Sequence, residues 1–198
     1  MVDRTPDDND ETWDASAVGR DELGPQLRAN AAAWRSLLKR GDLVTQRPPT
    51  AAAGSTAWSA LERGCQVRDV HAHMAKQLKT ALSKKNPTLS DWDRDKAAAK
   101  GKYGEQDPAK VAYDLARNAG KVADMVDRVN GDQWDRSGLR STGRGFTVES
   151  LVRELLAAVV HQAQAAEEGY RALTVDDDAD DDAEDGAGEG GDGGAAGA

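Results

Sequence analysis

The chain of 198 residues carries a net charge of −9, and 38% of its residues are hydrophobic, which suffices for one helical core but not for two. Acidic residues at the two ends dominate this charge, because residues 1–16 and 176–192 carry −5 and −10 and leave +6 on the segment between them. A mildly basic body without clustered lysine and arginine does not indicate a nucleic-acid-binding protein.

The chain has one cysteine, Cys65, which excludes an intramolecular disulfide and a cysteine-rich zinc site. The first residues lack the apolar segment of a secretory signal, and no run approaches the 18 apolar residues of a membrane span. We therefore expect a cytoplasmic protein that does not interact with membranes.

Two helices are predicted in the first half of the chain. The first begins at Asp21, has apolar residues at i, i+4 and i+7, and ends at Gly41. A loop with Pro48 and Pro49 follows, and the second helix runs from about residue 56 to Lys84. Beside its apolar stripe lies a polar ridge, which is either a solvated flank or the wall of an inward-facing site: Glu62, Gln66, Asp69, His73 and Gln77.

Two further helices are predicted in the second half. The third begins at Asp107 and Pro108, because aspartate caps a helix and proline suits its first position. An irregular charged connection over residues 90–107 precedes it, and a Gly- and Arg-rich connection over 131–146 follows it. The fourth helix begins at the cap Thr147 and continues to Leu173, and no strand is predicted.

These elements predict an all-α protein, a four-helix bundle with disordered acidic tails. The bundle occupies residues 19–174. Residues 1–18 form a disordered N-terminal tail, and residues 175–198 form a disordered tail rich in aspartate and glycine, because neither segment can bury a core.

Several motifs, in the same order and at similar spacing, resemble an actinobacterial branch of the DinB-like superfamily. The resemblance covers about residues 27–170 and implies a DinB-like four-helix bundle related to mycothiol-dependent maleylpyruvate isomerases and thiol S-transferases. The matching segments are 58–70 (WSALERGCQVRDV), 91–95 (DWDRD), 103–108 (YGEQDP), 134–148 (WDRSGLRSTGRGFTV) and 155–162 (LLAAVVHQ).

Members of that superfamily hold a divalent metal with three histidines. One follows the tryptophan matched by Trp58 after eight residues, and the other two lie four apart on the last helix. The matching positions here are Gln66, Ala157 and His161, so the resemblance implies that one ligand of three is kept.

A second alignment shifts the match by seven residues. The segment 65–74 also resembles the Trp-x-Val-Arg-Asp-Val-x-x-His segment of the mycothiol-dependent members, with Cys65 in place of the tryptophan and His73 as the first ligand. The first alignment keeps Trp58 in step with the more distant matches and is preferred. Neither alignment restores the missing histidine of the last helix.

A catalytic zinc site needs three protein ligands and one open position, so a substitute ligand would be required. Glu154, Gln164 and Glu168 lie near His161 in helical phase, but glutamine is a poor ligand for zinc or nickel. No cofactor is therefore expected. Zinc or nickel held by His73 and His161 is the alternative.

The connection before the last helix carries three arginines at four-residue intervals, Arg136, Arg140 and Arg144. Guanidinium groups can hold a carboxylate-bearing ligand through paired hydrogen bonds, although a solvated loop is the other interpretation. The candidate ligand-binding residues are Gln66, His73, His161, Arg136, Arg140 and Arg144.

The sequence favours a DinB-like protein that has lost the three-histidine metal site and acts as a binding or accessory bundle. The alternative is a metal-dependent S-transferase or isomerase that uses a mycothiol-type thiol at an altered site, so whether the chain is an enzyme stays open. A small molecule or a protein is the expected partner, a homodimer is left open, and nucleic acid is not expected. Cys65 is expected to be a buried, inert thiol.

Overall fold

The computed structural model describes residues 14–49 and 57–181. The described chain forms α1 (Leu23–Leu37), α2 (Ala60–Ser83), α3 (Arg94–Gly101), α4 (Pro108–Val126) and α5 (Val148–Asp181). It also forms three short strands, β1 (Thr88–Leu89), β2 (Ser137–Arg140) and β3 (Gly145–Thr147). None of the helices in these ranges is long and apolar enough to cross a membrane.

The four long helices pack so that α2 and α1 each contact both α4 and α5. Helices α1 and α5 run in the same direction, because Asn30 lies beside Val159 and Leu37 lies beside Tyr170 further along both helices. Helix α2 opposes α5, since Arg63 near its start contacts Gln162 while Ala81 near its end lies beside Arg136, which binds the start of α5 at Val148. Helices α2 and α4 run in the same direction, with Asn118 beside Arg68. The directions of α1, α2, α4 and α5 are therefore up, down, down and up.

One hydrophobic core lies between these helices. Trp34, Leu115 and Leu156 are fully buried in it, on helices whose apolar residues recur at helical spacing. The ends of the helices are fixed locally. Ser59 and Glu62 form a reciprocal capping box at the start of α2.

The predicted four-helix bundle is confirmed, as are two of its helix starts. The Asp107 side chain accepts a hydrogen bond from the Ala109 main chain, and the Thr147 hydroxyl accepts one from Ser150 at 3.0 Å. Both bonds satisfy main-chain N–H groups that have no partner within the helix.

The expectation of no strand was wrong, as was that of a wholly irregular connection after α2. Strand β1 pairs in parallel with β2, and β2 pairs antiparallel with β3. Gly138 is required in β2, because a Cβ there would lie 2.3 Å from the Pro87 carbonyl oxygen. Helix α3 lies within the predicted connection and buries none of its residues, so it left no amphipathic pattern in the sequence.

Regular secondary structure is present on both sides of the predicted boundaries at residues 18 and 174. Residues Ala15–Ala17 form a turn of 3₁₀ helix, Ala15 is buried, and Arg153 donates a 2.9 Å hydrogen bond to the Val18 carbonyl. At the other end, α5 continues to Asp181. The rest of the predicted tails, residues 1–13 and 182–198, lies outside the described residues.

Candidate functional site

A group of polar and aromatic side chains lines one side of the bundle where α2, the segment after β1 and the start of α5 meet. We call this region the polar groove and define it by His73, Gln77, Trp92, Arg140 and Glu154. Burial on α2 is not that of a solvated flank, because Glu62 and Gln77 are buried and Gln66, Asp69 and His73 are half-buried.

His73 is held in place by two neighbours. Its ring stacks on the indole of Trp92 with the ring centroids 6.3 Å apart. The side-chain amide of Gln77 donates to His73 Nε2 at 2.7 Å and to the Ser90 carbonyl at 2.9 Å. Because Nε2 accepts, the ring proton lies on Nδ1.

The pKa of His73 is lowered from its ordinary value, first by burial of the ring. The positive charges of Lys76 and Arg140 lower it further, while the Ser90 main chain and the Asp91 carboxylate act in the opposite direction. His73 is therefore neutral at pH 7, and its acceptor nitrogen is occupied by Gln77.

The three arginines of the connection before α5 have different roles. Arg140 lies at the groove, with 17% of its side chain exposed, and forms an ion pair with Glu154. Arg144 lies 3.7 Å from the same carboxylate but is 73% exposed. Arg136 donates to the main-chain carbonyls of Ala81 at 3.0 Å and Lys84 at 2.7 Å. Of the three, Arg140 is placed best to meet a ligand in the polar groove.

The resemblance matches His161 to a metal-ligating histidine, but its side chain does not face the interior of the bundle. His161 is exposed on α5, and the neighbouring Gln162 instead faces α2, where its Oε1 accepts a 2.9 Å hydrogen bond from Arg63. One residue along a helix rotates the side chain by about 100°, so the face of α5 that is turned towards α2 carries Gln162 and not His161. Gln66 is half-buried on α2.

The donor set does not fit a three-ligand metal site. His73 Nε2 accepts from Gln77, His161 is exposed and Glu154 is paired with Arg140. Gln164 and Glu168 are exposed as well. Within the described ranges, no three His, Cys, Asp or Glu side chains are grouped in a way that could hold a metal ion.

Cys65 lies on the core side of α2 and is fully buried. Burial raises the pKa of its thiol to about 12, so the thiolate needed for nucleophilic chemistry does not form near pH 7. The neighbouring Tyr103 donates from its hydroxyl to Asp69 at 2.7 Å. This pair joins the segment before α4 to α2 outside the polar groove.

Sequence reasoning missed two residues of the polar groove as site residues, Gln77 and Trp92. Gln77 follows His73 by four positions and therefore shares its helix face, a signal that was present in the polar ridge. The sequence carries no such signal for Trp92, because this residue lies in a connection without periodicity and meets His73 only in the folded chain.

No protein-family model and no curated protein matches the chain. Among solved structures, it resembles YfiT from Bacillus subtilis, described as a probable metal-dependent hydrolase with an unusual four-helix bundle topology. The TM-score is 0.69 at 14% sequence identity, over 88% of this chain and 94% of that one. At this identity the likeness concerns the fold, which agrees with the bundle that the DinB-like resemblance implies.

Proposed function

We propose that the chain is a binding bundle of the DinB-like type that takes a small carboxylate-bearing molecule in the polar groove, without the three-histidine metal site. The observation that carries this proposal is the position of Arg140, a largely buried guanidinium within electrostatic range of the neutral His73 that stacks on Trp92.

The chemistry of the polar groove supports a ligand with one flat apolar part and one anionic part. Arg140 has five N–H donors in a planar fork, and its ion pair with Glu154 is joined by a single hydrogen bond. Its remaining donors suit a carboxylate. The stacked rings of His73 and Trp92 offer an aromatic surface against which an apolar group packs.

Benzoate is a suitable probe, with benzamide as its uncharged control. We expect benzoate to raise the melting temperature and to shift the His73 and Trp92 ring resonances, because a ligand that binds the folded state stabilises it. Benzamide should do neither. The variant Arg140→Gln should lose the response to benzoate. The matched control Arg144→Gln should keep it, because Arg144 lies beside the same Glu154 carboxylate but is exposed.

The proposal fails if benzoate and benzamide act alike, or if Arg140→Gln binds benzoate as the original chain does. The variant Arg140→Lys keeps the charge but not the planar fork, so a weakened response in that variant separates paired hydrogen bonding from simple charge attraction.

The second candidate is a metal-dependent S-transferase or isomerase that uses a mycothiol-type thiol. It is favoured by the description of YfiT as a probable metal-dependent hydrolase. In this chain it requires His73 to leave Gln77 and His161 to turn inward. Stoichiometric zinc or nickel in protein purified without a histidine tag, lost in both His73→Ala and His161→Ala, would favour this candidate and overturn the metal-free site.

A further inference from the structure

A second groove runs between α2 and α4 at the end of the bundle where both helices finish. We call it the basic groove and define it by Lys76 and Lys79 of α2, Lys121 of α4 and Arg128 just after α4, which line a cleft of about 570 Å³. All four side chains are exposed. Its remaining lining residues are Ala75, Asp124 and Met125.

The positive charge of the basic groove is not neutralised by the folded body. Within the described ranges, none of its four cations forms an ion pair. Its one carboxylate, Asp124, is bound by Arg28 of α1 at 2.7 Å. Half-buried Ala75 and Met125 add an apolar surface, so the groove suits an anionic peptide better than a small inorganic anion.

We infer that the basic groove is the docking site of the acidic N-terminal segment of the same chain, residues 3–11. That segment carries five carboxylates against the single Arg4. Its charge therefore complements the four cations of the basic groove, which form no ion pair with the described part of the chain. The five acidic residues are Asp3, Asp7, Asp8, Asp10 and Glu11.

The N-terminal segment enters at the correct end of the bundle. The first described residues pack on the start of α5, where Arg153 binds the Val18 carbonyl. Arg136 bridges the start of α5 and the end of α2, because its carbonyl accepts from Val148 while its side chain binds Ala81. The eleven peptide steps from Asp14 back to Asp3 span up to about 36 Å when extended. Neighbouring helix axes lie about 10 Å apart, and the diagonal from α5 to α4 is about 14 Å, so Asp3 can reach the basic groove.

The acidic C-terminal segment leaves from the opposite end. Gln162 lies beside Arg63, and Asp181 lies about 28 Å further along α5, at a rise of about 1.5 Å per residue. Lys76 lies about 20 Å from Arg63 along α2, at the same rise per residue, and on the side of Arg63 that points away from Asp181. The acidic residues between Asp181 and Asp192 extend the chain by no more than about 36 Å, which does not cover that distance.

Zero-length carbodiimide coupling of carboxylates to lysine amines tests this inference on the full-length chain. We expect intramolecular links from residues 3–11 to Lys76, Lys79 and Lys121 at low salt. These links should fall strongly in 1 M NaCl, where the screening length drops to about 3 Å. A mixture of ¹⁴N- and ¹⁵N-labelled protein distinguishes links within one chain from links between two.

Two charge variants provide the comparison. Lys79→Glu with Lys121→Glu should abolish the links to the remaining Lys76, while Lys100→Glu on exposed α3 should leave them unchanged. All these positions are exposed, so circular dichroism should confirm that each variant folds.

Three results would overturn the inference. Links from residues 3–11 to Lys39 or Lys100 as frequent as those to the basic groove would mean that the segment has no docking site. Links from the basic groove to residues 176–192 would identify the other acidic segment as the occupant. Links found only between differently labelled chains would identify a second copy.

Discussion

The hydroxyl of Tyr170, in the second half of α5, donates a 2.6 Å hydrogen bond to the main-chain carbonyl of Leu37, the last residue of α1. The carbonyls of a final helical turn have no partner within the helix, so Tyr170 satisfies one of them. The guanidinium of Arg40 covers the ring at 4.5 Å from its centroid. This contact joins the end of the first helix to the last helix.

Replacing Tyr170 with phenylalanine should therefore lower the free energy of unfolding by about 1 to 2 kcal/mol, because the buried carbonyl of Leu37 loses its donor. Urea denaturation measures this difference. Tyr113→Phe is the matched control, since Tyr113 is 66% exposed and its replacement should change little. Equal effects of the two variants would show that the hydrogen bond contributes nothing.

His71 makes the bundle sensitive to acid. It is fully buried, its Nδ1 donates to the Val67 carbonyl at 2.7 Å, and burial lowers the pKa of its imidazole to about 4. The unfolded chain takes up a proton at this residue below about pH 6.5, whereas the folded chain does so only near pH 4. Stability from this residue is thus complete above pH 6.5 and falls as the pH falls.

We expect His71 to account for a loss of about 3 kcal/mol in the free energy of unfolding between pH 6.5 and pH 4. Urea titrations across that range measure the slope, which His71→Leu should reduce. His161→Asn, at an exposed histidine, should keep the original slope. An unchanged slope in His71→Leu would contradict the prediction.

Arg136 should matter more to stability than Arg144, although both are arginines of one connection. Its two hydrogen bonds satisfy the last carbonyls of α2, and Arg136→Ala should lower the free energy of unfolding by about 1.5 to 3 kcal/mol. The ion pair of Arg144 is exposed, and Arg144→Ala should cost less than about 1 kcal/mol. Thermal melting of both variants measures the two losses of stability. A larger loss in Arg144→Ala than in Arg136→Ala would refute the proposed capping of α2 by Arg136.

Cys65 should resist alkylation in the folded protein. With a thiol pKa of about 12, about one molecule in ten thousand carries a thiolate at pH 8, and the side chain is fully covered. Mass spectrometry after iodoacetamide treatment should find no label in native protein and complete label in urea. Rapid native labelling would place Cys65 at an accessible surface instead.

A chain cut after Thr174 should melt within a few degrees of the full-length chain. Among the described side chains of α5, the last buried one is Tyr170, so the cut removes none of the contacts seen in the core. Differential scanning calorimetry makes the comparison. A large drop would mean that the removed segment packs on the body.

The sequence predicted the elements that carry strong local signals. The start of α4 at Asp107 and Pro108 could be predicted because capping chemistry acts within a few residues. Strands β2 and β3 could not, since they are too short for a period-two pattern. The pairing of Thr88 with Leu139 joins residues far apart in the chain.

The same distinction applies to the candidate site. The polar ridge on α2 placed His73 and Gln77 on one face from helical spacing alone. The phase of His161 depends on how α5 rotates against α2, which core packing decides. The role of Arg136 depends on α2 ending beside the last connection, a tertiary relationship that local sequence does not encode.

The parallel neighbours α1 and α5 are also the first and last helices of the bundle. During synthesis, α1 and α4 can meet early, but the apolar side of α1 that faces α5 stays uncovered until the last helix has left the ribosome. Long-range contacts of this kind slow folding relative to a bundle built from sequential hairpins. Until α5 joins the bundle, the core that buries Leu27 and Trp34 is incomplete, and a partly folded chain with uncovered apolar surface is a substrate for chaperones.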